Sequence, residues 1–257
     1  MRAVLLAAGV GRRLAAAAGG RPKALLRVAG QSLLERHLRI LACCGVAEAV
    51  VVTGYRAEAV AEEAARLDAG LRVELVHNPD FAAGSVVSLW AARAALGAGG
   101  PVLLMDADVL YDQRLLARLV GSRHDDCFLL DRDIEAGEEP VKLCVRDGRL
   151  VDFRKWPTEA HDWHGESVGF FKLAPATARA LVAAARRHVE AGDTEECYEE
   201  ALRDVLLAGP PTRFGFEDVT GLPWIEIDFP GDLARARAEV APQLAPLPPA
   251  RRREATR

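Results

Sequence analysis

AVLLAAGVGRRLAAAAGGRPKALLRV, Ala3 to Val28, decides the fold of this chain. Its first residues, Ala3 to Leu6, form the short apolar run that a buried parallel strand requires. The run opens directly into Ala7-Ala8-Gly9-Val10-Gly11-Arg12-Arg13-Leu14. Small side chains at a strand end let the backbone turn sharply and come close to a ligand. Successive N–H groups in such a turn make a concave site for anions. Arg13 adds a permanent cation, and Lys23 adds another. A glycine loop with two cations suits a polyphosphate. The stretch lacks the third glycine of a dinucleotide fingerprint, and no G-K-[ST] follows, so it is not a P-loop.

The elements that follow extend the same pattern. Ser32-Leu33-Leu34-Glu35 is a capping-box start for a helix, with Leu34, Leu38 and Leu41 at helical spacing and Gly45 as its stop. Ala49 to Thr53 reads as a second buried strand, Arg56 to Leu67 as a helix, and Arg72 to His77 as a third strand. Alternating strands and helices argue for a doubly wound, mostly parallel sheet of the α/β class. Asn78-Pro79 opens a loop, and a helix is expected from Gly84 or Ser85 to Leu96. Val102 to Met105 is another buried strand, ending in Asp106-Ala107-Asp108. Carboxylates just past the carboxyl end of a parallel strand sit where such folds bind ligands, and Mg²⁺ takes one or two carboxylates alongside phosphate oxygens and water.

The middle of the chain changes character. Cys127 to Asp131 and Val141 to Val145 read as strands, and Asp147-Gly148 turns the latter into a hairpin with Leu150 to Phe153. Trp156 to Glu166 reads as a polar loop, with His161 and His164 as solvated residues. Phe170 to Leu173 is a further strand. Helices are expected over Pro175 to Glu190 and over Thr194 to Leu207, the second capped by Thr194. Thr212 to Val219 and Trp224 to Ile227 are strands, and Pro230 starts a last helix. Residues 1–240 are expected to form one domain with an insertion at about 132–171. A Pro/Arg-rich, loosely packed tail is expected over 241–257.

Composition narrows the function classes. The chain has 257 residues, half of them hydrophobic, and a net charge of −4. That balance gives no general attraction to nucleic acid or an anionic membrane. No apolar run approaches the length of a membrane span, and no secretory leader is visible, so a cytoplasmic protein is expected. Cys43, Cys44, Cys127, Cys144 and Cys197 fit no zinc or disulfide spacing and read as reduced, mostly buried thiols.

Four motifs together resemble one family. Leu6 to Leu14 as L-A-A-G-x-G-x-R-L, with Pro22-Lys23-Ala24-Leu25-Leu26, resembles the signature of sugar-phosphate nucleotidyltransferases and their cytidylyltransferase relatives. Arg12 stands where the pattern carries Ser or Thr, supplying charge in place of a hydroxyl. Ser88-Leu89-Trp90 and Tyr198-Glu199-Glu200-Ala201-Leu202 are similar to the phosphocholine cytidylyltransferase-type branch, with Gly84-Ser85 standing in place of Asn-Asn. Trp224-Ile225-Glu226-Ile227-Asp228 resembles the W-x-E-I-D segment of the same family.

The resemblance implies a Rossmann-like fold with an inserted β-hairpin on the acceptor side. It implies transfer of CMP from CTP to a small phosphate or phosphonate, phosphocholine-like, with release of pyrophosphate. Lys23 and Arg13 become catalytic candidates, and Asp108 and Asp228 become ligands for Mg²⁺, with Asp106 behind them. Leu6, Ala7, Ala8, Gly9, Gly11 and Arg12 would join Arg13 and Lys23 around the nucleotide. Asn78, Gly84, Ser85, Ser88 and Asp106 would complete that site. Glu166 becomes an acceptor candidate. Trp156 and Trp163 could hold a trimethylammonium group through their aromatic faces. Other readings stay open: another NTP with a sugar or cyclitol 1-phosphate, or a nucleotide sensor without turnover. A homodimer is one open oligomeric form.

Overall fold

The structure is a computed structural model that describes residues 1–14, 18–134, 140–210 and 213–247. Its centre is the strand read first, β1 (Arg2–Leu6). Two-residue strands β2 (Arg27–Val28) and β3 (Gln31–Ser32) form a small hairpin before helix α1 (Leu33–Cys43). Ser32 caps that helix, its Oγ accepting from Glu35 N at 3.1 Å. There follow β4 (Glu48–Thr53), α2 (Ala57–Arg66) and β5 (Arg72–His77). Then come α3 (Ser85–Ala91), α4 (Arg93–Gly97) and β6 (Val102–Asp106). β1 lies between β4 and β6, parallel to both, and β5 is parallel to β4 at the edge. The expected doubly wound, mostly parallel arrangement is therefore present.

The helix expected over 85–96 is broken at Ala92, whose N–H is shared between the carbonyls of Ser88 and Leu89. Two elements after Asp108 were not expected: β7 (Val109–Tyr111) and α5 (Gln113–Gly121). Asp112 caps α5, its Oδ1 accepting from Arg114 N at 2.9 Å.

β8 (Asp126–Asp131) and the hairpin β9 (Lys142–Arg146) and β10 (Arg149–Arg154) precede the longest strand, β11 (Trp163–Leu173). Here the reading of Trp156 to Glu166 as a polar loop is corrected over 163–166, while 156–162 lie outside any strand as expected. Residues 163–166 pair with β9, and residues 170–173 pair with β6 on the same edge. β8 covers the other edge. Strand pairing outweighs the polar composition of this segment. β11 thus joins the β9–β10 hairpin to the central sheet without a break in the chain.

α6 (Pro175–Ala191) and α7 (Tyr198–Ala208) follow, with β12 (Phe214–Asp218) parallel to β8. Cys197, rather than Thr194, is the N-cap of α7. The Thr194 carbonyl instead accepts from Gly84 N at 2.7 Å. β13 (Trp224–Glu226) pairs antiparallel with β7 and leads into α8 (Pro230–Arg235).

Alternate residues of the sheet feed two apolar layers. Val4, Val50, Val52 and Leu104 face α3, α4, α6 and α7. Ala3, Leu5, Val51, Leu103 and Met105 face α1, α2 and α5. A third cluster, including Leu14, Leu26, Leu110, Ile227 and Leu233, fixes the glycine-loop segment against α8. A fully buried Leu or Ile in these layers contributes about 1.5–3 kcal/mol.

The described part of the tail touches the rest of the chain. Ala245 N donates to Asp112 Oδ2 at 2.7 Å, and Leu247 packs on the second layer. The remainder of the tail lies outside the described residues. Of the cysteines, only Cys127 and Cys144 are buried; Cys43 and Cys197 are exposed, and all five are free thiols. Among the described residues, no helix is long and apolar enough to cross a membrane.

Candidate active site

The glycine loop leaves β1 at the carboxyl end of the sheet. Ala7 N donates to Val52 O, and Tyr55 N donates to Ala8 O, so β4 holds the loop's first turn. Gly11 adopts φ +61°, and a Cβ there would meet Lys23 Cγ at 3.0 Å. A glycine at this position lets the Lys23 stem pass closely under the loop. Leu6, Ala7, Gly9, Gly11, Arg12, Arg13 and Lys23 line a cavity of about 240 Å³, closed on the far side by Asp108 and Asp228.

Two strand ends deliver the carboxylates. β6 ends at Asp106, and the chain turns before β7, so Asp106 and Asp108 separate. Ile227 N donates to Asp108 O at 3.1 Å, placing Asp108 beside Asp228. Asp232 Oδ2 accepts from Asp228 N at 3.0 Å and Phe229 N at 2.7 Å, fixing that backbone at the start of α8. Asp108, Asp228 and Glu226 bring one carboxylate oxygen each to within 4.8 Å of one another. Hard oxygen donors at this spacing suit a divalent cation such as Mg²⁺.

Lys23 Nζ lies against this cluster. It donates to Asp108 Oδ2 at 2.8 Å and also to Asp228 Oδ1. Burial disfavours its charge, but the two carboxylates outweigh burial and hold the ammonium protonated well above the ordinary lysine range. Arg13 approaches Asp228 at 3.9 Å and stacks on the Phe229 ring at 5.0 Å.

A second cavity, about 180 Å³, opens beside the same carboxylates. It is lined by Asp106, Lys155, Ser167, Tyr198 and Glu199, among others, together with Arg13, Glu226 and Asp228 from the shared wall. The Tyr198 hydroxyl donates to Asp106 Oδ2 at 2.6 Å. Burial and the neighbouring Asp108 and Glu199 charges push the Asp106 carboxyl well above the usual range, against the pull of Tyr198. Burial also pushes Glu199 up, to about 7, against the opposing pull of Lys155. Gly169 (φ +77°) makes room for Asp106; a Cβ there would lie 2.2 Å from Asp106 Oδ2.

Other candidate residues fall elsewhere. Asn78 is buried; its Nδ2 donates to Ser88 Oγ at 3.0 Å and its Oδ1 accepts from Asp80 N at 3.0 Å. Gly84 packs against the backbone of Glu195 and Glu196, and Ser85 Oγ accepts from Tyr198 N at 2.9 Å. These residues tie α3 to α7. Ala8 is buried in the loop. Glu166 lines a third, larger cavity with Trp224 and Arg235, because alternation along β11 sends Ser167 to the opposite face. Trp156 is 64% exposed. Trp163 carries Arg132 over its ring at 4.8 Å and touches Phe216. Neither tryptophan lines the two cavities at the carboxylates, so they do not form a cage there. His161 and His164 face each other at 3.2 Å. Among the described residues they belong to no metal-ligating group.

Glu226, Tyr198 and Glu199 are the residues that sequence reasoning did not assign. Alternation in Trp224 to Asp228 was the available signal for Glu226, since Glu226 and Asp228 share a side of the strand. Tyr198 and Glu199 begin a helix whose place is set only by tertiary contacts.

Residues 3–169 match the MobA-like NTP transferase domain. The chain is 32% identical over 250 residues to the CMP-5'-(3-aminopropyl)phosphonate synthase of Streptomyces rubellomurinus, covering 94% of this chain and 39% of that protein. It is 32% identical over 235 residues to the bifunctional IPC transferase and DIPP synthase of Rubrobacter xylanophilus, covering 90% of this chain and 50% of that protein. The chain thus spans half or less of the length of these two relatives. The inositol-1-phosphate CTP transferase from T. maritima has the same fold, with a TM-score of 0.75 at 19% identity over 95% of this chain and 98% of that one.

Proposed function

The chain belongs to the MobA-like NTP transferase domain family, and from that premise we propose that it transfers CMP from CTP to a small phosphate or phosphonate and releases pyrophosphate. The observation that carries this reading is the facing of the glycine-loop cavity, with Arg12, Arg13 and Lys23, by Asp108 and Asp228 from separate strand ends. The two named relatives, a CMP-phosphonate synthase and an IPC transferase, support a CMP group and a small phosphorus acceptor.

The triphosphate lies along the loop from Ala8 to Gly11, whose N–H groups would cradle it. Arg12 and Arg13 neutralise the β- and γ-phosphates and then the departing pyrophosphate. Lys23 lies between the α-phosphate and the incoming oxygen. An acceptor oxygen, already anionic at neutral pH, forms the new bond to the α-phosphorus. The bond from that phosphorus to the bridging oxygen breaks, and pyrophosphate takes the electron pair. No protein nucleophile is required, and the rate comes from positioning and charge neutralisation. Asp108, Asp228 and Glu226 would hold Mg²⁺, which supplies Lewis-acid polarisation of the phosphate when bound.

The test is pyrophosphate release from each common NTP crossed with small phosphates, phosphonates and sugar or cyclitol phosphates, with Mg²⁺ and with EDTA. Turnover with CTP and a small acceptor, lost in EDTA, is expected. Turnover confined to another NTP and a sugar phosphate would replace the substrate pair. Nucleotide binding with no pyrophosphate from any pair would overturn the transfer reading.

A further inference from the structure

Phe229 stands at the N-cap of α8, a position that ordinarily takes a Ser, Thr, Asp or Asn side chain. A phenyl ring has no acceptor atom for that role. The turn is held without it: Phe229 N donates to Asp232 Oδ2 at 2.7 Å, and Phe229 O accepts from Asp232 N at 3.1 Å and Leu233 N at 3.3 Å. The side chain is 39% exposed, and among the described residues it joins none of the three apolar clusters. Neither capping nor core packing therefore accounts for it. What the ring meets is the Arg13 guanidinium, whose carbon lies 5.0 Å from the ring centroid. Arg13 lines both the glycine-loop cavity and the cavity that holds Tyr198. Phe229 lines neither of these; it faces the larger cavity with Trp224.

We propose that Phe229 is a positioning residue whose ring holds the Arg13 guanidinium on the wall between the two cavities. This rests on the transfer reading above and adds to it a residue that touches no reacting atom. The geometry gives the reason for an aromatic side chain. Arg13 Nη1 stands 3.9 Å from Asp228 Oδ2, beyond ordinary hydrogen-bond length. Asp228 already accepts from Lys23 and belongs to the metal-ligating group. A guanidinium drawn fully onto Asp228 would cover oxygen that the metal needs. A guanidinium released to solvent would be lost to the triphosphate. The face of a phenyl ring attracts the cation through its quadrupole and consumes none of its N–H donors. It therefore competes neither with the metal for Asp228 nor with the phosphates for Arg13.

The experiment is a double-mutant cycle on the whole chain. Calorimetry with a non-hydrolysable CTP analogue and Mg²⁺ gives binding, and pyrophosphate release from CTP and each small acceptor gives turnover. Phe229→Leu keeps apolar bulk and removes the π face, and it should weaken analogue binding about two- to fivefold, the range for a cation–π contact at a half-exposed site. Phe229→Tyr and Phe229→Trp should restore the native affinity. In an Arg13→Ala background the same Phe229→Leu change should cost nothing further, because the cation it acts through is gone. Phe229→Met repeats the comparison if the leucine variant melts early. An equal loss in the two backgrounds is what a merely structural phenylalanine gives, and it would overturn the proposal; so would native affinity in a folded Phe229→Leu variant. Turnover with CTP but no coupling between the two residues would overturn the positioning role and leave the transfer reading intact. Coupled binding with no pyrophosphate from any acceptor would overturn the transfer reading and support the positioning role. A protein that binds no nucleotide would overturn both.

Discussion

Lys23 Nζ donates to Asp108 Oδ2 at 2.8 Å across 85 residues of sequence, and the same ammonium reaches Asp228. One cation therefore joins the glycine-loop segment to both acidic strand ends. Lys23→Ala leaves the carboxylates facing one another and removes the charge nearest the reacting phosphate. Turnover should fall by about 10²–10³-fold, the range for deletion of a preorganised charge-stabilising group. Pyrophosphate release measured beside a thermal melt separates this from unfolding. A folded variant with the native rate would take Lys23 out of the chemistry.

Asp108, Asp228 and Glu226 share the proposed metal. A ligand that binds only the folded state stabilises it, by about 2.7 kcal/mol at a hundred times its Kd. Mg²⁺ should raise the melting temperature of the unaltered protein in the presence of CTP. Asp108→Asn and Asp228→Asn should each abolish that increment and lower turnover by orders of magnitude, with Glu226→Gln intermediate. An undiminished Mg²⁺-dependent shift in Asp228→Asn would exclude it as a ligand.

Gly84 has no room for a side chain. A Cβ would meet Glu196 O at 2.3 Å and Glu195 C at 2.5 Å, both backbone atoms that cannot rotate away. Gly84→Ala should destabilise the protein by about 2 kcal/mol or more, in the range of overpacked sites. It should also loosen Ser85 from Tyr198, which holds Asp106 beside the acidic cluster, and so lower turnover. Urea unfolding gives the first effect and steady-state kinetics the second; a native midpoint would contradict the packing argument.

His37 is fully buried on α1, with its ring 5.1 Å from Tyr111 and 5.9 Å from Phe170. Burial, reinforced by Arg36, lowers its pKa to about 3. The sign follows from linkage: the unfolded chain takes up the proton near pH 6.5, whereas the folded chain does not until about pH 3. The stability held by neutral His37 is therefore complete above pH 6.5 and is lost as pH falls toward 3, at up to about 1.4 kcal/mol per pH unit. His37→Leu should flatten this part of the stability profile. Parallel profiles for the two proteins between pH 7 and 4 would show that His37 does not titrate in this way.

Local pattern carried much of the fold. β5 spans Arg72–His77 as its alternation indicates, and Ser32 caps α1 as its motif indicates. Both features are decided within a few residues by propensity and hydrogen bonding. β11 was not legible over 163–166, because its polar residues are strand only through β8 and β9. Its Glu166 therefore faces a different cavity from Ser167. In the site, Lys23, Asp108 and Asp228 were named from motifs, and the structure brings them together. Tyr198 and Glu199 escaped because their neighbours, Asp106 and Ser85, lie about a hundred residues earlier. No local signal reports a contact made by the docking of one helix on another.

The pairing of β13 with β7 has a consequence for how the site is assembled. Synthesis runs from the amino terminus, so Lys23 and Asp108 emerge long before Asp228. All nine strands of the main sheet precede β13 in sequence. A nascent or prematurely terminated chain can therefore contain every strand of that sheet while still lacking Glu226 and Asp228. In the proposed chemistry, competence would arrive only with this last acidic segment, which also completes the apolar cluster around Leu14, Leu26 and Leu110.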